Sequence, residues 1–294
     1  MIGSFKRIGV FAKPTGEDIT QSLQQVCDLL KNSGRQVVLE AVTAQRLPNT
    51  KFSIFSADTI GAECDLIIVV GGDGSLLKAA RAIADHNVPI LGINRGNLGF
   101  LADIAIENLS SNLDAILVGE YIEEQRTMLN ATVVQNGVPS KPELALNDVV
   151  LHHGDIARLI EFTIFIDDQF VVDQRADGVI TSTPTGSTAY ALSGGGPIVY
   201  PTLDVITLMP MFPHSLNTRP IVVNKNSKIK FIFHENNRRT AQFSADGQTH
   251  MPLSPGDEVH IQANKNSLRL IHPKNYDYFA VLREKLGWNI KLDK

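Results

Sequence analysis

The first 120 residues alternate short apolar runs with longer helical patterns, and this alternation restricts the possible folds more than any other feature. The predicted strands are RIGVFAK, QVVLEAV, DLIIVV and VPILGI. The predicted helices are ITQSLQQVCDLLKNSG, with Gly34 as its C-terminal stop, and SLLKAARAIADH. Strands that alternate with helices form right-handed crossovers and a parallel sheet covered on both faces. Residues 1–120 therefore predict an N-terminal, doubly wound parallel α/β domain.

The pattern changes from about Tyr121, where long helical runs nearly disappear. Strand-like segments follow one another: MLNATVVQNG, LIEFTIFIDDQFVV, SKIKFIFHENN and DEVHIQANKNSLRLI. The Asn136–Gly137 pair is a hairpin signal. A last helical pattern, YDYFAVLREKLGW, is expected to return and pack on the first domain. Residues 121–294 therefore predict a mostly antiparallel, β-rich domain.

Charge and the first residues exclude several classes of protein. The net charge is −4 and both signs are scattered along the chain, which argues against a nucleic-acid or membrane surface. The stretch IGSFKRIGVFAK begins a strand pattern and lacks the features of a signal peptide or a membrane span. We therefore predict a cytoplasmic protein. Cys27 and Cys64 have no companion cysteines, so we expect reduced thiols.

The stretch LIIVVGGDGSLLKAA, residues 66–80, places an acid inside a glycine-rich turn between a strand and a helix. A dinucleotide fingerprint would need a third glycine at Leu77, and no P-loop string occurs in the chain. The turn lies at the carboxyl end of a buried strand, where open α/β sheets bind ligands. Asp73 could hold a divalent metal, bind a ribose hydroxyl or accept a proton from a hydroxyl nucleophile. The structural alternative is a tight turn with Asp73 bonded to its own backbone.

A second stretch, residues 174–197, combines many Ser and Thr hydroxyls with five glycines. It predicts a strand, a turn and a short helix that begins near Ser187. Hydroxyls and free N–H groups at that helix start would suit the phosphates or ribose of a nucleotide, and Tyr190 could lie against a flat ring. Charge neutralisation would then come from Arg175, from a metal, or from both. The alternative is a solvated loop.

Five strings together resemble the NAD kinase family, in detail the type of Gram-negative bacteria. They occur in this order: GGDGS, GINRGNLGFL, LND, DGVITSTPTGSTAY and PMFPHSLNTRP. The resemblance covers nearly the whole chain. It implies transfer of the γ-phosphoryl group of ATP to the 2′-hydroxyl of the adenosine ribose of NAD, which forms NADP, with Asp73 as general base.

The resemblance also implies the ligands and the assembly. NAD and ATP would be the substrates, and a divalent metal, Mg²⁺, would arrive with ATP without a metal site built by the protein. Because the family's substrate site is completed by a neighbouring subunit, we expect a homodimer or a homotetramer.

The matching positions assign the NAD-binding residues. Gly74 would let substrate approach the turn, Asn147 and Asp148 would bind the adenosine part, and Asp177 would accept from the nicotinamide carboxamide. The remaining matched positions are Arg158, Arg175, Thr188, Ala189, Tyr190, Ala191, Leu192, Ser193 and Gln248.

Other functions for the GGDG turn remain open at this stage. A phosphofructokinase-like enzyme would carry a T-I-D-x-D motif, which this chain lacks. Lipid kinases lack the long GVITSTPTGSTAY match. A nucleotide sensor without turnover could use the same fold, although it would have no need of Asp73.

Overall fold

The computed structural model describes residues 5–13, 17–96, 99–154, 159–237 and 240–288. The chain forms two compact units. The first unit comprises Met1–Gln125 and Leu268–Lys294, and the second comprises Arg126–Ser267.

Strands and helices are numbered along the chain. The strands are β1 (Arg7–Ala12), β2 (Gln36–Glu40), β3 (Ser53–Phe55), β4 (Leu66–Val70), β5 (Ile90–Asn94), β6 (Ile104–Ala105), β7 (Tyr121–Arg126), β8 (Leu129–Gln135), β9 (Val138–Pro139), β10 (Glu143–Ala145), β11 (Asp148–His153), β12 (Ile160–Ile166), β13 (Gln169–Ala176), β14 (Gly178–Ser182), β15 (Val205–Met211), β16 (Ile221–Asn224), β17 (Ile229–Phe233), β18 (Ala241–Ala245), β19 (Thr249–Leu253), β20 (Glu258–Ala263) and β21 (Leu268–Pro273). The helices are α1 (Glu17–Asn32), α2 (Ala41–Ala44), α3 (Ala57–Ile60), α4 (Asp73–Ile83), α5 (Leu109–Leu117), α6 (Tyr190–Ser193) and α7 (Tyr278–Leu286).

The first unit contains an eight-stranded sheet in the order β3-β2-β1-β4-β5-β21-β7, with β6 paired to β5. The pairs from β3 to β21 are parallel. Strand β4 reads LIIVV and all five residues are buried, as expected for a parallel strand covered on both faces. Leu66, Ile68 and Val70 join a core cluster with apolar residues of α1 and α5. Ile67 lies on the other face, close to Ile60 of α3.

Helix α1 ends as its sequence predicts. Its last residue is Asn32, and Gly34 adopts a φ of +72°. The N–H of Arg35 donates to the carbonyl of Leu30 at 2.9 Å, so the left-handed glycine closes the last turn. The predicted stop at Gly34 is confirmed.

The structure corrects the interpretation of DEVHIQANKNSLRLI as one β segment of the second half. The segment forms two strands, and the second of them, β21, pairs in parallel with β5 in the first sheet. Five of the six residues of β21 are buried, which suits a position inside a sheet better than an edge. Helix α7 follows it in the first unit.

The second unit contains two antiparallel sheets. One has the order β10-β8-β20-β17-β12-β13, with β9 paired to β8, and the other has the order β16-β15-β14-β11-β18-β19. Apolar residues from both sheets form one large core cluster. Strand β11 shows the alternation that this requires, because Val149 and Leu151 join that cluster while Val150 packs with Ala191 of α6 in a smaller one.

These sheets confirm the predicted fold class, a mostly parallel α/β sheet followed by antiparallel, β-rich sheets. Within the described residues, no helix has the length and apolar character needed to cross a membrane.

Candidate active site

The turn after β4 holds the carboxylate of Asp73 in a cradle of backbone amides. Asp73 is the first residue of α4. Its Oδ2 accepts the N–H of Phe100 at 2.9 Å, and its Oδ1 accepts the N–H groups of Leu101 and Ala102, each at 3.1 Å. The bonds join the start of α4 to the loop after β5, so the alternative of an Asp bonded to its own turn is not what the structure shows.

Two glycines make room for this cradle. A Cβ at Gly99 would lie 2.1 Å from Oδ1 of Asp73, and a Cβ at Gly92 would lie 2.6 Å from Cα of Ala102. Real Cβ atoms do not approach other atoms so closely, so larger residues would push the loop and the carboxylate apart. Gly92 and Gly99, two of the three glycines of GINRGNLGFL, therefore serve the geometry around Asp73.

Gly74, the next residue, has a different surrounding. It is exposed, and a Cβ built on it would meet no atom within 4 Å. The fold itself therefore does not require a glycine here. The open space beside Asp73 leaves access for a ligand.

In the second unit, a pocket of about 270 Å³ collects several of the predicted residues. It is lined by Asn147, Asp148, Val150, His152, Ala189, Tyr190, Ser244, Asp246 and Gly247. Four of these, Asn147, Asp148, Ala189 and Tyr190, were predicted from the sequence. Strands β11 and β18 and the segment before α6 supply the walls.

Asp246 is a pocket residue that sequence reasoning missed. Its carboxylate accepts the backbone N–H groups of Leu146, Asn147 and Asp148 at 3.0, 2.8 and 3.2 Å. The signal that could have found it is the Asp246–Gly247 pair, which forms the hairpin turn between β18 and β19 with φ of 51° and 60°. Asp246 thus fixes the backbone that carries the predicted Asn147 and Asp148, much as residues 100–102 fix Asp73.

Asp148 is an unusual carboxylate because only 4% of it is exposed. Burial, and secondarily the negative charge of Asp246, raise the pKa of Asp148 to about 7. The group therefore changes charge near neutral pH. His152, on the same strand, has a lowered pKa, chiefly because of burial, so the pocket wall carries little positive charge to offset Asp148.

In the hydroxyl-rich segment, residues 174–197, the structure differs from the prediction that the hydroxyls face a nucleotide. Most of them are buried and bond to the protein itself. The hydroxyl of Thr183 donates to the carbonyl of Leu146 at 2.6 Å, and that of Ser187 donates to the carbonyl of Pro184 at 2.7 Å. The backbone N–H of Thr183 donates to the carbonyl of Asn147 at 2.9 Å. The segment is therefore neither a solvated loop nor an open row of donors, and it holds the backbone next to Asp148.

The short helix predicted near Ser187 is divided into two separate turns. A 3₁₀ turn, Thr185–Thr188, is followed by one α-helical turn, α6. Ala189 separates them with φ of −100° and ψ of −129°. Because α6 has four residues, it carries little helix dipole, and the dipole gives little support to the predicted phosphate site at a helix start.

The predicted residues around α6 face different surroundings. Tyr190 is 47% exposed and lines the pocket. Ala191 is 1% exposed and packs in the small core cluster. Ser193 lines a second pocket of about 560 Å³, where Met209, Met211 and Phe212 contribute an apolar wall. Thr188 and Leu192 are partly buried.

Three further predicted residues, Arg175, Asp177 and Gln248, do not line the first pocket. Arg175 is exposed on β13, with its Nε 3.6 Å from a carboxylate oxygen of Glu161. Asp177 is partly buried between β13 and β14 and Gln248 is exposed; neither lines the pocket around Asp148. Arg158 lies outside the described residues.

No three His, Cys, Asp or Glu side chains of the described ranges are arranged to hold a metal ion.

Comparisons with known proteins match both halves of the chain. Residues 8–121 match the family model of the ATP-NAD kinase N-terminal domain, and residues 146–273 match that of the ATP-NAD kinase C-terminal domain. Among curated proteins, the chain is 48% identical to the NAD kinase of Marinomonas sp. (strain MWYL1), over 97% of both chains. It is 49% identical to the NAD kinase of Hahella chejuensis, over 99% of this chain and 98% of the relative.

Solved structures resemble the whole chain as well. Yeast NADH kinase complexed with NADH has a TM-score of 0.90 at 25% identity, covering 100% of this chain and 91% of that one. An NAD kinase from Archaeoglobus fulgidus in complex with ATP has a TM-score of 0.73 at 27% identity, covering 95% and 99%.

The Asp73 cradle predicts that Gly99→Ala is destabilising. The added Cβ overlaps the carboxylate, and overpacking of this kind costs about 1–3 kcal/mol. The urea midpoint should therefore fall. Gly74→Ala is the matched control: its Cβ meets no atom and alanine favours the helix by up to about 1 kcal/mol, so its midpoint should stay or rise. Equal midpoints for the two variants would contradict the steric argument.

The pKa of Asp148 predicts a pH-dependent stability. The folded-state pKa of about 7 lies above the ordinary value of 3.8, so the unfolded chain ionises at a lower pH than the folded protein. The free energy of unfolding therefore falls as the pH rises from about 4 to 7, and it changes no further from this group at higher pH. The free energy of unfolding of Asp148→Asn, relative to that of the parent, should therefore rise by about 3 kcal/mol from pH 5 to pH 8. Urea unfolding at both pH values measures this change. Asp168→Asn, at an exposed turn, should show no such gain, and a pH-independent difference for Asp148→Asn would contradict the argument.

Proposed function

This chain belongs to the ATP-NAD kinase family and makes NADP from NAD and ATP, and from that premise we propose that Asp73 is the general base of the reaction. The acceptor is the 2′-hydroxyl of the adenosine ribose of NAD. Asp73 takes the proton of this hydroxyl as its oxygen forms a bond to the γ-phosphorus of ATP. The bond between that phosphorus and the β–γ bridging oxygen breaks, and ADP leaves.

The observation that carries this proposal is the orientation of Asp73. Its two oxygens accept three backbone N–H groups, and the adjacent Gly74 is open to a ligand. Phosphoryl transfer depends mainly on positioning and charge stabilisation. A fixed carboxylate beside open space can align a hydroxyl as well as accept its proton.

We further propose that the sequence-assigned residues bind NAD, with residues 1–120 carrying the GGDG turn and 121–294 the other contacts. Asn147, Asp148 and Tyr190 share one pocket, which supports a common ligand. The raised pKa of Asp148 lets its carboxyl group donate as well as accept hydrogen bonds near neutral pH. This suits the ribose or base of the adenosine part. The remaining proposed contacts, with weaker structural support, are Gly74, Arg158, Arg175, Asp177, Thr188, Ala189, Ala191, Leu192, Ser193 and Gln248.

The divalent metal is proposed to accompany ATP. Mg²⁺ binds triphosphates through their oxygens and keeps several waters, and it supplies charge neutralisation at the transferred phosphoryl group. Arg175, which is exposed and within ion-pair distance of Glu161, is proposed to contact NAD.

We also propose a homodimer or homotetramer. The second unit exposes large apolar side chains on or beside β15 and β16: Phe212 is 77% exposed, Leu216 91% and Val222 51%. Large apolar side chains exposed to this extent favour burial against another copy of the chain.

Asp73→Asn tests the base. Turnover should fall on the order of 10²–10⁴-fold, while the KM for NAD stays near that of the parent, because the amide keeps the size of the side chain and loses its proton acceptor. The assay follows NADP with a dehydrogenase specific for the phosphorylated cofactor. Asp65→Asn is the matched control, since Asp65 accepts two backbone N–H groups in the same unit and should leave turnover unchanged. Parent-like turnover of Asp73→Asn would refute the assignment.

Light scattering coupled to size exclusion tests the assembly. The parent should elute as a dimer or tetramer, and Leu216→Glu should shift it toward smaller species because a charge would be buried at the interface. Val118→Glu changes a residue of the first unit that is 75% exposed and should not alter the size. A fully active monomeric parent would contradict the proposal.

A further inference from the structure

A buried histidine lies directly behind the cradle of Asp73. Asp103 follows Ala102, whose N–H donates to Oδ1 of Asp73. Oδ2 of Asp103 lies 2.7 Å from Nδ1 of His272, and the two side chains are 4% and 0% exposed. This is a hydrogen bond between a ring N–H and a carboxylate whose side chains are both buried.

The ring of His272 is held on other sides as well. Its Nε2 lies 3.6 Å from Oε2 of Glu124, on β7. The ring stacks on Tyr276, with centroids 3.8 Å apart and an angle of 9° between the planes. His272 belongs to β21, an inner strand of the sheet that lies between β5 and the edge strand β7. Its position is therefore fixed by the rigid part of the first unit.

This contact connects the loop of the cradle to the sheet. A buried carboxylate is costly unless a partner bonds to it, so Asp103 stays where Nδ1 of His272 places it. Consecutive Cα atoms are about 3.8 Å apart, and a shift of Asp103 would therefore move the N–H of Ala102 away from Asp73.

We propose that His272 is a positioning residue for phosphoryl transfer, which acts through Asp103 and the loop 99–102 to orient the carboxylate of Asp73. This inference rests on the proposed role of Asp73 as general base. It assigns to His272 no contact with NAD or ATP.

Two isosteric replacements separate the bond to Asp103 from the contact with Glu124. The amide nitrogen of asparagine can take the place of Nδ1, whereas that of glutamine reaches the place of Nε2. His272→Leu and His272→Gln should lower kcat on the order of 10²-fold, the size of effect expected from a displacement of about 1 Å at the reacting groups. His272→Asn should recover most of that loss. The KM for NAD should change little in all three.

Arg269→Gln is the matched control for general weakening of the sheet. Arg269 and Glu123 join the same two strands, β21 and β7, with N–O distances of 2.7 and 2.8 Å, but this pair is partly exposed and bonds to no residue of the loop. Its kcat should equal that of the parent. A loss of kcat in Arg269→Gln equal to that in His272→Leu would overturn the proposal, as would equal kcat values for the Asn and Gln variants. If His272→Leu does not fold, the comparison of Asn with Gln decides alone.

A double variant shows whether the effect passes through Asp73. If His272 acts only by orienting this carboxylate, adding His272→Gln to Asp73→Asn should cause no further loss of kcat, because residues that act as a unit are not additive. Additive losses would overturn the inference. The two proposals fail separately: a fully active Asp73→Asn refutes the base, whereas an inactive Asp73→Asn with a fully active His272→Gln refutes only the positioning role.

Discussion

Three backbone amides that converge on one carboxylate organise the first unit around its functional turn. Hydrogen bonds to an ionised acceptor contribute about 1.5–3 kcal/mol each, and the free energy of unfolding of a protein is about 5–15 kcal/mol. The three bonds to Asp73 therefore make a large contribution to the free energy of unfolding. It ties the start of α4 to the loop after β5. The absence of a side chain at Gly99 and Gly92 is the steric condition for this contact, and the buried Asp103–His272 pair holds the next residue of the loop.

The sheet places this turn where an α/β fold binds ligands. Strand β1 lies between β2 and β4, so the chain moves outward in one direction through β2 and β3 and in the other through β4 and β5. Ligands bind beyond the carboxyl ends of the strands at such a reversal. The GGDG turn follows β4, one of the two strands at the reversal. The second unit, whose sheets are antiparallel, contains a similar arrangement. The carboxylate of Asp246 accepts the N–H groups of three consecutive residues and so fixes the backbone of Asn147 and Asp148.

Local patterns predicted more of this structure than long-range contacts did. The alternation of strands and helices, the stop at Gly34 and the position of Asp73 at the end of β4 follow from residues near each other in the chain. The place of β21 beside β5 does not, since 173 residues lie between Asn94, the last residue of β5, and Leu268, the first residue of β21. Strand pairing over such a distance leaves no local signal. The hydroxyl-rich segment misled for a related reason: whether a Thr hydroxyl meets a ligand or the carbonyl of Leu146 depends on which backbone packs against it. Asp246 was overlooked because an Asp-Gly pair is equally typical of an ordinary hairpin.

The count of acceptor positions on Asp73 restricts what it can do. A carboxylate offers about four lone-pair positions, and N–H groups of the described loop occupy three, two on Oδ1 and one on Oδ2. The position that remains, on Oδ2, has a fixed direction because the side chain cannot rotate without breaking the other three bonds. A hydroxyl that donates to it is therefore aligned before the phosphoryl group arrives. For the role proposed for Asp73, this alignment matters more than base strength, because the barrier to phosphoryl transfer falls mainly through positioning. The proposal accounts for an acid in this glycine turn: the amides hold the acid, and the acid is proposed to hold the acceptor hydroxyl.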